Sequence, residues 1–221
     1  MIILGVPTYR RYDLLKQMLA SVDAGTVVPN YCLIVDNGSR LAEDELPKTR
    51  MTTIVQRPGV NLGVAGGWNR VLHMANLRSE MPVYVLITND DIVFGAKTIE
   101  NMVAKMTSEK HMVVAADGGE AFSCFLMDRE LYAKVGPFDE RFHPAYFEDN
   151  DYVYRMKLIG ETFAVADRAE GYAHARSSTL KTYSPNEMVE HHRNFEANRA
   201  RYIAKWGGLP GAEIFTKPGG P

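Results

Sequence analysis

The chain has few cysteines, and neither is arranged for a disulfide framework or a zinc site. Cys32 and Cys124 are the only two in 221 residues, and neither belongs to a CxxC pair. Disulfide-stabilised miniproteins and zinc ribbons are therefore excluded as classes. A reducing compartment is the environment that we expect for this chain.

Long apolar runs and an excess of charge of one sign are also missing. No run reaches the ~18 apolar residues that span a bilayer. The start, MIILGVPTYRRYD, lacks the basic region and cleavage site of a signal peptide. The formal net charge is −2, so no global basic field attracts nucleic acid or an anionic membrane. We expect a cytoplasmic protein, or one in a host cytoplasm if the source is viral.

The residues that are present predict an α/β fold. Up to about residue 118, short apolar runs alternate with segments of helical spacing, which favours a mostly parallel central sheet flanked by helices. The predicted strands are Ile2–Val6, Tyr31–Val35, Thr53–Gln56, Pro82–Thr88 and His111–Ala116. The predicted helices are Tyr12–Val22, Trp68–Leu77 and Thr98–Met106, and Asn61–Gly67 (NLGVAGG) is predicted as a glycine-rich loop.

The pattern changes after Ala121. It predicts a strand at Phe122–Met127, a helix at Asp151–Ile159 and a strand at Phe163–Ala166. After Ser184 a polar helix continues to about Trp206, and a glycine- and proline-rich tail follows. We predict one domain at 1–184, with halves at about 1–118 and 119–184. Residues 185–221 form a C-terminal helical extension that packs on it or extends from it.

Three polar strings follow predicted strands of the sheet. They are PTYRR after the first strand, DNGS (Asp36–Ser39) after the second and NDD (Asn89–Asp91) after the Pro82–Thr88 strand. Ligands of open parallel sheets bind beyond the carboxyl ends of the strands. Asp36 there could accept a ring N–H of uracil, thymine or guanine, or it could cap its own turn. The NDD carboxylates could hold Mg²⁺ or Mn²⁺ beside a diphosphate, or form an ordinary acidic turn.

Other candidate residues have two explanations each. The glycine loop permits close backbone approach to a ligand, but it matches neither a dinucleotide fingerprint nor a P-loop. Trp68 is either a core residue or a platform for a sugar. His174 becomes a ligand candidate only if the fold returns it to the NDD edge. The other histidines, His191 and His192 among them, are assigned to packing or surface roles.

The string FEDNDYVYR (Phe147–Arg155) gathers three acids beside aromatic residues. Acids in a first helical turn complement the helix dipole, and Asp151 and Arg155 have the i,i+4 spacing of a structural pair. The second explanation is a site in which Glu148 and Asp149 bind a cation or take up a proton.

Taken in order, these strings resemble the inverting GT-A glycosyltransferases of the family 2 type, especially bacterial rhamnosyltransferase-like members. The matching strings are VPTYRRYDLL, IVDNGS, NLGVAGGWN, LITNDDIVF, GPFDERFHPAYFEDNDYVYR and GYAHARSS, and they cover Ile2 to about Thr179. The resemblance implies a Rossmann-like GT-A fold, a nucleoside-diphosphate sugar donor (UDP, dTDP or GDP), a hydroxyl acceptor of unknown class and Mn²⁺ or Mg²⁺ as cofactor.

The resemblance also implies residue roles. Asp149 would be the catalytic base, Glu148 would help to bind the acceptor, and Asp91 and His174 would hold the metal. Asn89 departs from the usual first aspartate of the metal motif. The implied nucleotide-sugar contacts are Pro7, Thr8, Arg10, Asp36, Asn61, Gly66, Asn89 and Asp90. The implied acceptor contacts are Trp68, Tyr146 and Phe147.

Two other functions were weighed. A sugar-1-phosphate nucleotidyltransferase would carry a GxGxR loop near the first strand, where PTYRR stands instead. A catalytically silent binding module is disfavoured by the intact Asp91, Asp149 and His174. The segment His191–Lys205 is rich in basic residues, and it is either a solvated helix face or a contact to an anionic acceptor or membrane surface.

Overall fold

A computed structural model describes residues 1–76, 84–116, 118–166, 171–175 and 179–220. In these residues nine strands alternate with helices. The strands are β1 (Ile2–Thr8), β2 (Tyr31–Asp36), β3 (Thr52–Gln56), β4 (Tyr84–Thr88), β5 (Ile92–Val93), β6 (Met112–Val114), β7 (Cys124–Met127), β8 (Ala164–Val165) and β9 (Ala173–His174). The α-helices are α1 (Tyr12–Asp23), α2 (Gly63–Asn76), α3 (Thr98–Ala104), α4 (Arg129–Val135), α5 (Glu148–Leu158) and α6 (Pro185–Trp206).

Seven strands form the central sheet, in the order β3-β2-β1-β4-β7-β6-β8. Neighbouring strands from β3 to β4 are parallel, and β7 runs antiparallel to both β4 and β6. The strands β5 and β9 form a separate antiparallel pair, in which Ile92 faces His174. The predicted α/β class with a mostly parallel central sheet is therefore confirmed.

Alternation along the strands buries side chains on both faces of the sheet. Leu4 and Val6 of β1 pack on the face that is covered by α1 and α3, whereas Ile3 packs on the face covered by α2, α4 and α5. A separate aromatic cluster joins α6 to α5 and the loop before it, and it consists of Phe142, Phe147, Tyr154, Tyr202 and Trp206. The C-terminal helix is therefore packed on the rest of the chain, while the predicted boundary at residue 184 stays a prediction.

Asp151 is the polar centre of this junction. Its side chain is fully buried. It accepts hydrogen bonds from Arg155 Nε at 2.9 Å and from Trp206 Nε1 at 2.8 Å, and Lys205 Nζ lies 2.5 Å from its Oδ1. Buried carboxylates persist when charged or polar partners surround them. The predicted structural pairing of Asp151 with Arg155 is confirmed.

The predicted glycine loop is wrong over most of its length, because α2 begins at Gly63. Three acceptors bind backbone N–H groups at this helix start. Asn37 Oδ1 accepts from Leu62 N, Asn61 Oδ1 from Gly63 N, and the carbonyl of Pro144 from Val64 N. These tertiary contacts satisfy backbone N–H groups that have no partner within the helix at its start. The glycine pattern alone does not indicate such contacts.

Other helix and strand boundaries differ from the predicted ones by a few residues. The strand β1 continues through Pro7 to Thr8, because β4 pairs only with Ile2–Gly5 and the missing N–H of Pro7 costs no bond on that side. The helix α5 begins at Glu148, three residues earlier than predicted. The predicted ends at Leu77 and Pro82 lie outside the described residues. Within the described part of the chain, no helix has both the length and the apolar character that crossing a membrane requires.

Candidate active site

The carboxyl ends of β1 and β4 and the first turn of α5 open into one cavity of about 730 Å³. This volume lies within the range of small-molecule sites. Most of the predicted site residues line the cavity, namely Pro7, Thr8, Asn61, Trp68, Asn89, Asp90, Asp91, Tyr146, Glu148, Asp149 and His174. Four others are not among its lining residues, namely Arg10, Asp36, Gly66 and Phe147.

The pairing of β5 with β9 returns His174 to the NDD edge, as the ligand hypothesis requires. His174 Nε2 lies 3.2 Å from Asp91 Oδ1, and both side chains are largely buried. The backbone holds this arrangement, because Ala175 N donates to the carbonyl of Asp91 at 3.0 Å. An imidazole and a carboxylate that are 83 residues apart therefore meet at the wall of the cavity.

Asp91 and His174 fit a divalent cation that also binds a substrate. In the described residues, His174 Nδ1 is buried without a hydrogen-bond partner. The same residues contain no group of three or more histidine, cysteine, aspartate or glutamate side chains that could enclose a metal. Mg²⁺ is commonly held by one or two carboxylates together with phosphate oxygens and water.

Asp90 has a different environment from Asp91. Its Oδ2 accepts a hydrogen bond from Thr8 Oγ1 at 2.7 Å, which ties the end of β4 to the end of β1. Burial raises the pKa of Asp90 to about 7, although the Thr8 hydrogen bond acts in the opposite direction. Asp90 therefore joins the two strand ends as well as lining the cavity.

The acids Glu148 and Asp149 stand in the first turn of α5 and also line the cavity. The two preceding residues, Tyr146 and Phe147, have positive φ angles of 76° and 74°. Such left-handed conformations are costly for bulky residues and are concentrated at functional sites. This backbone fixes the direction in which the first turn of α5 enters the cavity.

The two carboxyls differ in burial. Glu148 is 5% exposed, and its Oε2 has no hydrogen-bond partner among the described residues. Burial raises the pKa of Glu148 well above the usual range. Asp149 is partly exposed and accepts a hydrogen bond from the N–H of Asn150 at 2.8 Å. Burial also raises the pKa of Asp149. A carboxylate with a raised pKa is a better proton acceptor near neutral pH.

Asp36 caps its own turn in this structure. It is fully buried, its Oδ1 accepts from Tyr12 Oη at 2.8 Å and from Gly38 N at 3.0 Å, and its Oδ2 accepts from Leu41 N at 2.8 Å. These bonds use most of the acceptor capacity of a carboxylate. The nucleobase contact of Asp36 stays a prediction.

The contacts of the other three residues explain why they do not line the cavity. Arg10 forms an ion pair with Glu187 of α6 at 2.6 Å. Phe147 is buried against Phe195 and Tyr202, and Gly66 is buried inside α2. None of the three was expected to have these roles.

Trp68 belongs to the core although the cavity touches it. The side chain is 3% exposed and packs against Phe122, Phe125 and Phe138, with ring centroids 6.1, 5.3 and 4.9 Å away. A sugar-stacking platform needs an open ring face. The core alternative for Trp68 is therefore the one that the structure supports.

Several cavity residues were not among the predicted site residues, including Tyr9, Asn37, Ser123, Tyr183 and His191. Tyr9 and Asn37 stand inside the polar strings PTYRR and DNGS, so their position was a usable signal. Ser123 lines the cavity because β7 is antiparallel to β4, which brings its beginning to this edge. His191 reaches the cavity through the docking of α6, and it packs there against Tyr146 and Tyr183, in keeping with its packing assignment.

Comparisons with known proteins identify a family and relatives that this chain resembles. A family model described as Glycosyl transferase family 2 matches residues 4–160. A galactofuranosyl glycosyltransferase of Leishmania donovani is 32% identical over 76 residues, which are 34% of this chain and 18% of that protein. The chain thus spans about a fifth of the length of this curated relative.

Two solved structures share the fold at low identity. The mannosyltransferase PcManGT of Pyrobaculum calidifontis, in complex with GDP-Man and Mn²⁺, has a TM-score of 0.60 and 14% identity, covering 95% of this chain and 66% of its own. Glucosyl-3-phosphoglycerate synthase of Mycobacterium tuberculosis, in complex with Mn²⁺, UDP and glucosyl-3-phosphoglycerate, has a TM-score of 0.59 and 13% identity, covering 90% and 78%.

Proposed function

We propose, because this chain belongs to glycosyl transferase family 2, that it moves a sugar from a nucleoside-diphosphate sugar to an acceptor hydroxyl, with inversion at the anomeric carbon. The matched region is a glycosyltransferase domain of the GT-A fold. The observation that carries the proposal is the meeting of Asp91, His174 and Asp149 at one cavity. A cation-binding pair and a candidate proton acceptor are the two groups that this reaction needs.

Asp149 is the proposed base. As the acceptor oxygen attacks the anomeric carbon, its proton passes to the Asp149 carboxylate, and the electron pair of the broken bond leaves with the diphosphate. A single displacement by one base inverts the configuration. Glu148 stands beside Asp149 and is proposed to bind the acceptor through its buried carboxyl.

Asp91 and His174 are the residues that would hold Mn²⁺ or Mg²⁺. A bound divalent cation stabilises the negative charge of the departing diphosphate. Thr8 keeps Asp90 in place, and Asn89 and Asn61 offer polar groups along the same wall. UDP-, dTDP- and GDP-sugars remain the proposed donors, and related folds were solved with GDP-Man and with UDP.

The location proposed for the protein is the cytoplasm. Cys32 and Cys124 are both free and buried, which agrees with a reducing compartment. Contact of the basic α6 with an anionic partner gains no support, because Arg193, Arg199 and Lys205 each lie close to acids of the same chain.

The test begins with donor binding. Thermal unfolding is measured with UDP-, dTDP-, GDP- and CMP-sugars, each with and without Mn²⁺, since ligands that bind the folded state raise its midpoint. We expect stabilisation by a diphosphate donor that depends on Mn²⁺ in the wild type and is lost in Asp91→Ala. Unchanged manganese dependence in Asp91→Ala would show that the metal assignment is wrong.

The second part of the test concerns stereochemistry. The bound donor is incubated with candidate hydroxyl acceptors, and the anomeric configuration of any product is determined by NMR. We expect inversion. A product that retains the configuration of the donor would contradict the single-displacement mechanism.

A further inference from the structure

Three aromatic side chains stand together at the part of the cavity lining that also contains Asp149. They are Tyr146 from the loop before α5, Tyr183 from the segment before α6, and His191 from α6 itself. The His191 ring centroid is 5.3 Å from that of Tyr146 and 5.8 Å from that of Tyr183. Tyr146 is 37% exposed, which is high for a residue in an aromatic cluster.

Tyr146, Tyr183 and His191 together form an aromatic wall of the cavity. The position of this wall depends on α6. Asn198, which is fully buried, donates from its Nδ2 to the carbonyls of His143 and Ala145, at 3.2 and 2.9 Å, and so fixes the loop that carries Tyr146. At the start of the helix, Glu187 completes a capping box with Ser184 and also pairs with Arg10. The wall is therefore built by several independent contacts.

The chemistry of the wall suits a molecule that has both apolar C–H faces and hydroxyl edges. Aromatic faces pack against apolar surfaces, while phenol and imidazole groups offer hydrogen bonds at their edges. Burial raises the pKa values of Tyr146 and Tyr183 and lowers that of His191, so all three side chains are uncharged near neutral pH.

We propose that Tyr146, Tyr183 and His191 form the acceptor subsite and that the acceptor group seated there is an uncharged sugar ring. The inference rests on the proposed glycosyl transfer, since it places the ring next to Asp149. Arg10 lies against the lining residue Tyr9, and its guanidinium is already paired with Glu187 of α6. The nearby carboxyls of Glu148 and Asp149 further disfavour an anionic group.

The acceptor class is tested with the full chain, Mn²⁺ and the donor identified by thermal unfolding. Methyl glycosides of the common hexoses and pentoses are compared with 3-phosphoglycerate and with a serine-containing peptide. Transfer to one or more neutral methyl glycosides supports the subsite. Transfer confined to the phosphorylated compound or to the peptide overturns it, as does the failure of every glycoside while the donor is still hydrolysed.

Donor hydrolysis separates this inference from the function on which it rests. Release of the nucleoside diphosphate from the donor, with water as acceptor, needs only the donor site and the metal. If no nucleotide sugar binds or is hydrolysed, the proposed function itself fails. If hydrolysis occurs and glycosides are not used, only the acceptor subsite fails.

Two adjacent histidines of α6 provide a matched pair of variants. His191 lines the cavity, whereas His192 is exposed and is not among the lining residues. We expect His191→Ala to raise the KM for the glycoside at least ~10-fold, in keeping with a lost ring contact of about 1.4 kcal/mol, while the donor Kd is retained. His192→Ala should match the wild type in both quantities.

His191→Phe distinguishes stacking from a purely structural role. It keeps an aromatic ring and loses the ring nitrogens, so we expect the KM to return to within a few-fold of the wild type. Equal KM increases in His191→Ala and His192→Ala, or an unchanged KM in His191→Ala with an intact unfolding midpoint, would overturn the assignment of the subsite.

Discussion

The adjacent carboxyls of Glu148 and Asp149 show how burial separates neighbouring side chains. Glu148 is almost fully buried, whereas Asp149 remains partly exposed to the cavity. Both pKa values are raised by burial, and Asp149 also contributes to the increase at Glu148. A proton acceptor must be ionised, so the raised pKa of Asp149 has a direct consequence for the pH dependence of turnover.

We expect kcat/KM to fall as the pH decreases through the raised pKa of Asp149, so that the acidic limb lies above pH ~3.9, the ordinary aspartate value. Asp149→Asn should keep donor affinity and lower kcat by roughly 10²-fold or more, since general-base catalysis contributes about that much. A pH–rate profile and a donor titration check both. Near-normal turnover in Asp149→Asn would show that another group is the base.

Asp151 provides a prediction about stability. Asp151→Ala would leave Arg155, Lys205 and the indole N–H of Trp206 without their shared acceptor. Breaking a buried ion pair by removing one partner costs about 3–5 kcal/mol, so the free energy of unfolding should fall by about that amount in urea titrations. The control is Glu45→Ala, whose ion pair with Lys16 is exposed and whose loss should leave the midpoint unchanged. Equal midpoints for the two variants would contradict this account.

The start of α2 is closely constrained by the loop that contains Pro144. Gly63 has a φ of +71°, and a Cβ added there would come within 2.7 Å of the Pro144 carbonyl oxygen. Gly59 has a similar φ of +79° with nothing within 4 Å of an added Cβ. The two positions therefore share the cost of a left-handed backbone and differ in the clash with a residue that lines the cavity.

We expect Gly59→Ala to lower the free energy of unfolding by roughly 1–2 kcal/mol, the cost of a left-handed non-glycine residue. Gly63→Ala should lower it further and also weaken donor binding, because the loop at Pro144 must move. Chemical denaturation and donor titration provide the measurements. The account is wrong if both alanine variants lose the same stability and bind the donor equally well.

The direction of β7 explains why part of the site was missed in the sequence. Alternating strands and helices predicted a mostly parallel sheet, and the polar strings after β1, β2 and β4 were found from that expectation. Nothing local in the segment around Ser123 shows that the following strand runs antiparallel. Asn89 N donates to the carbonyl of Ser123 at 2.8 Å, so the pairing itself brings the start of β7 to the cavity.

The sequence thus predicted residues that stand in recognisable strings and did not predict roles that depend on how distant elements pack. Asp91, His174 and Asp149 were candidates through the ordered strings and the family resemblance that these strings carry, and the structure brings them to one cavity. The partners of Asp36, Tyr12 and Leu41, could not be predicted because they are set by packing that no periodicity shows. His191 was missed because its role depends on how α6 docks.

The complete fold depends on α6, and its removal gives the last prediction. A chain ending at residue 184 would uncover Phe142, Phe147 and Tyr154 and would lose the buried Tyr202 and Trp206. Each large buried side chain contributes roughly 1.5–3 kcal/mol, and total stability is typically about 5–15 kcal/mol. We therefore expect the truncated chain to be largely unfolded or aggregated by circular dichroism and size-exclusion chromatography.

A chain ending at residue 216 is the control for this truncation, because it removes only the last, mostly exposed residues. It should keep the unfolding midpoint within a few degrees of the wild type. A stable, monomeric chain of 184 residues would instead support an independent domain with a separable extension.

The spread of the cavity residues along the chain also has a consequence for biosynthesis. The lining begins at Pro7 and ends at His191, and ribosomes add ~5–20 residues per second. A nascent chain therefore carries its first site residues for about 10–40 seconds before the last one is made. From the synthesis of Asp91 to that of His174 the acidic NDD edge has no imidazole beside it, so the pair that is proposed to hold the cation is complete only once the chain has passed residue 174.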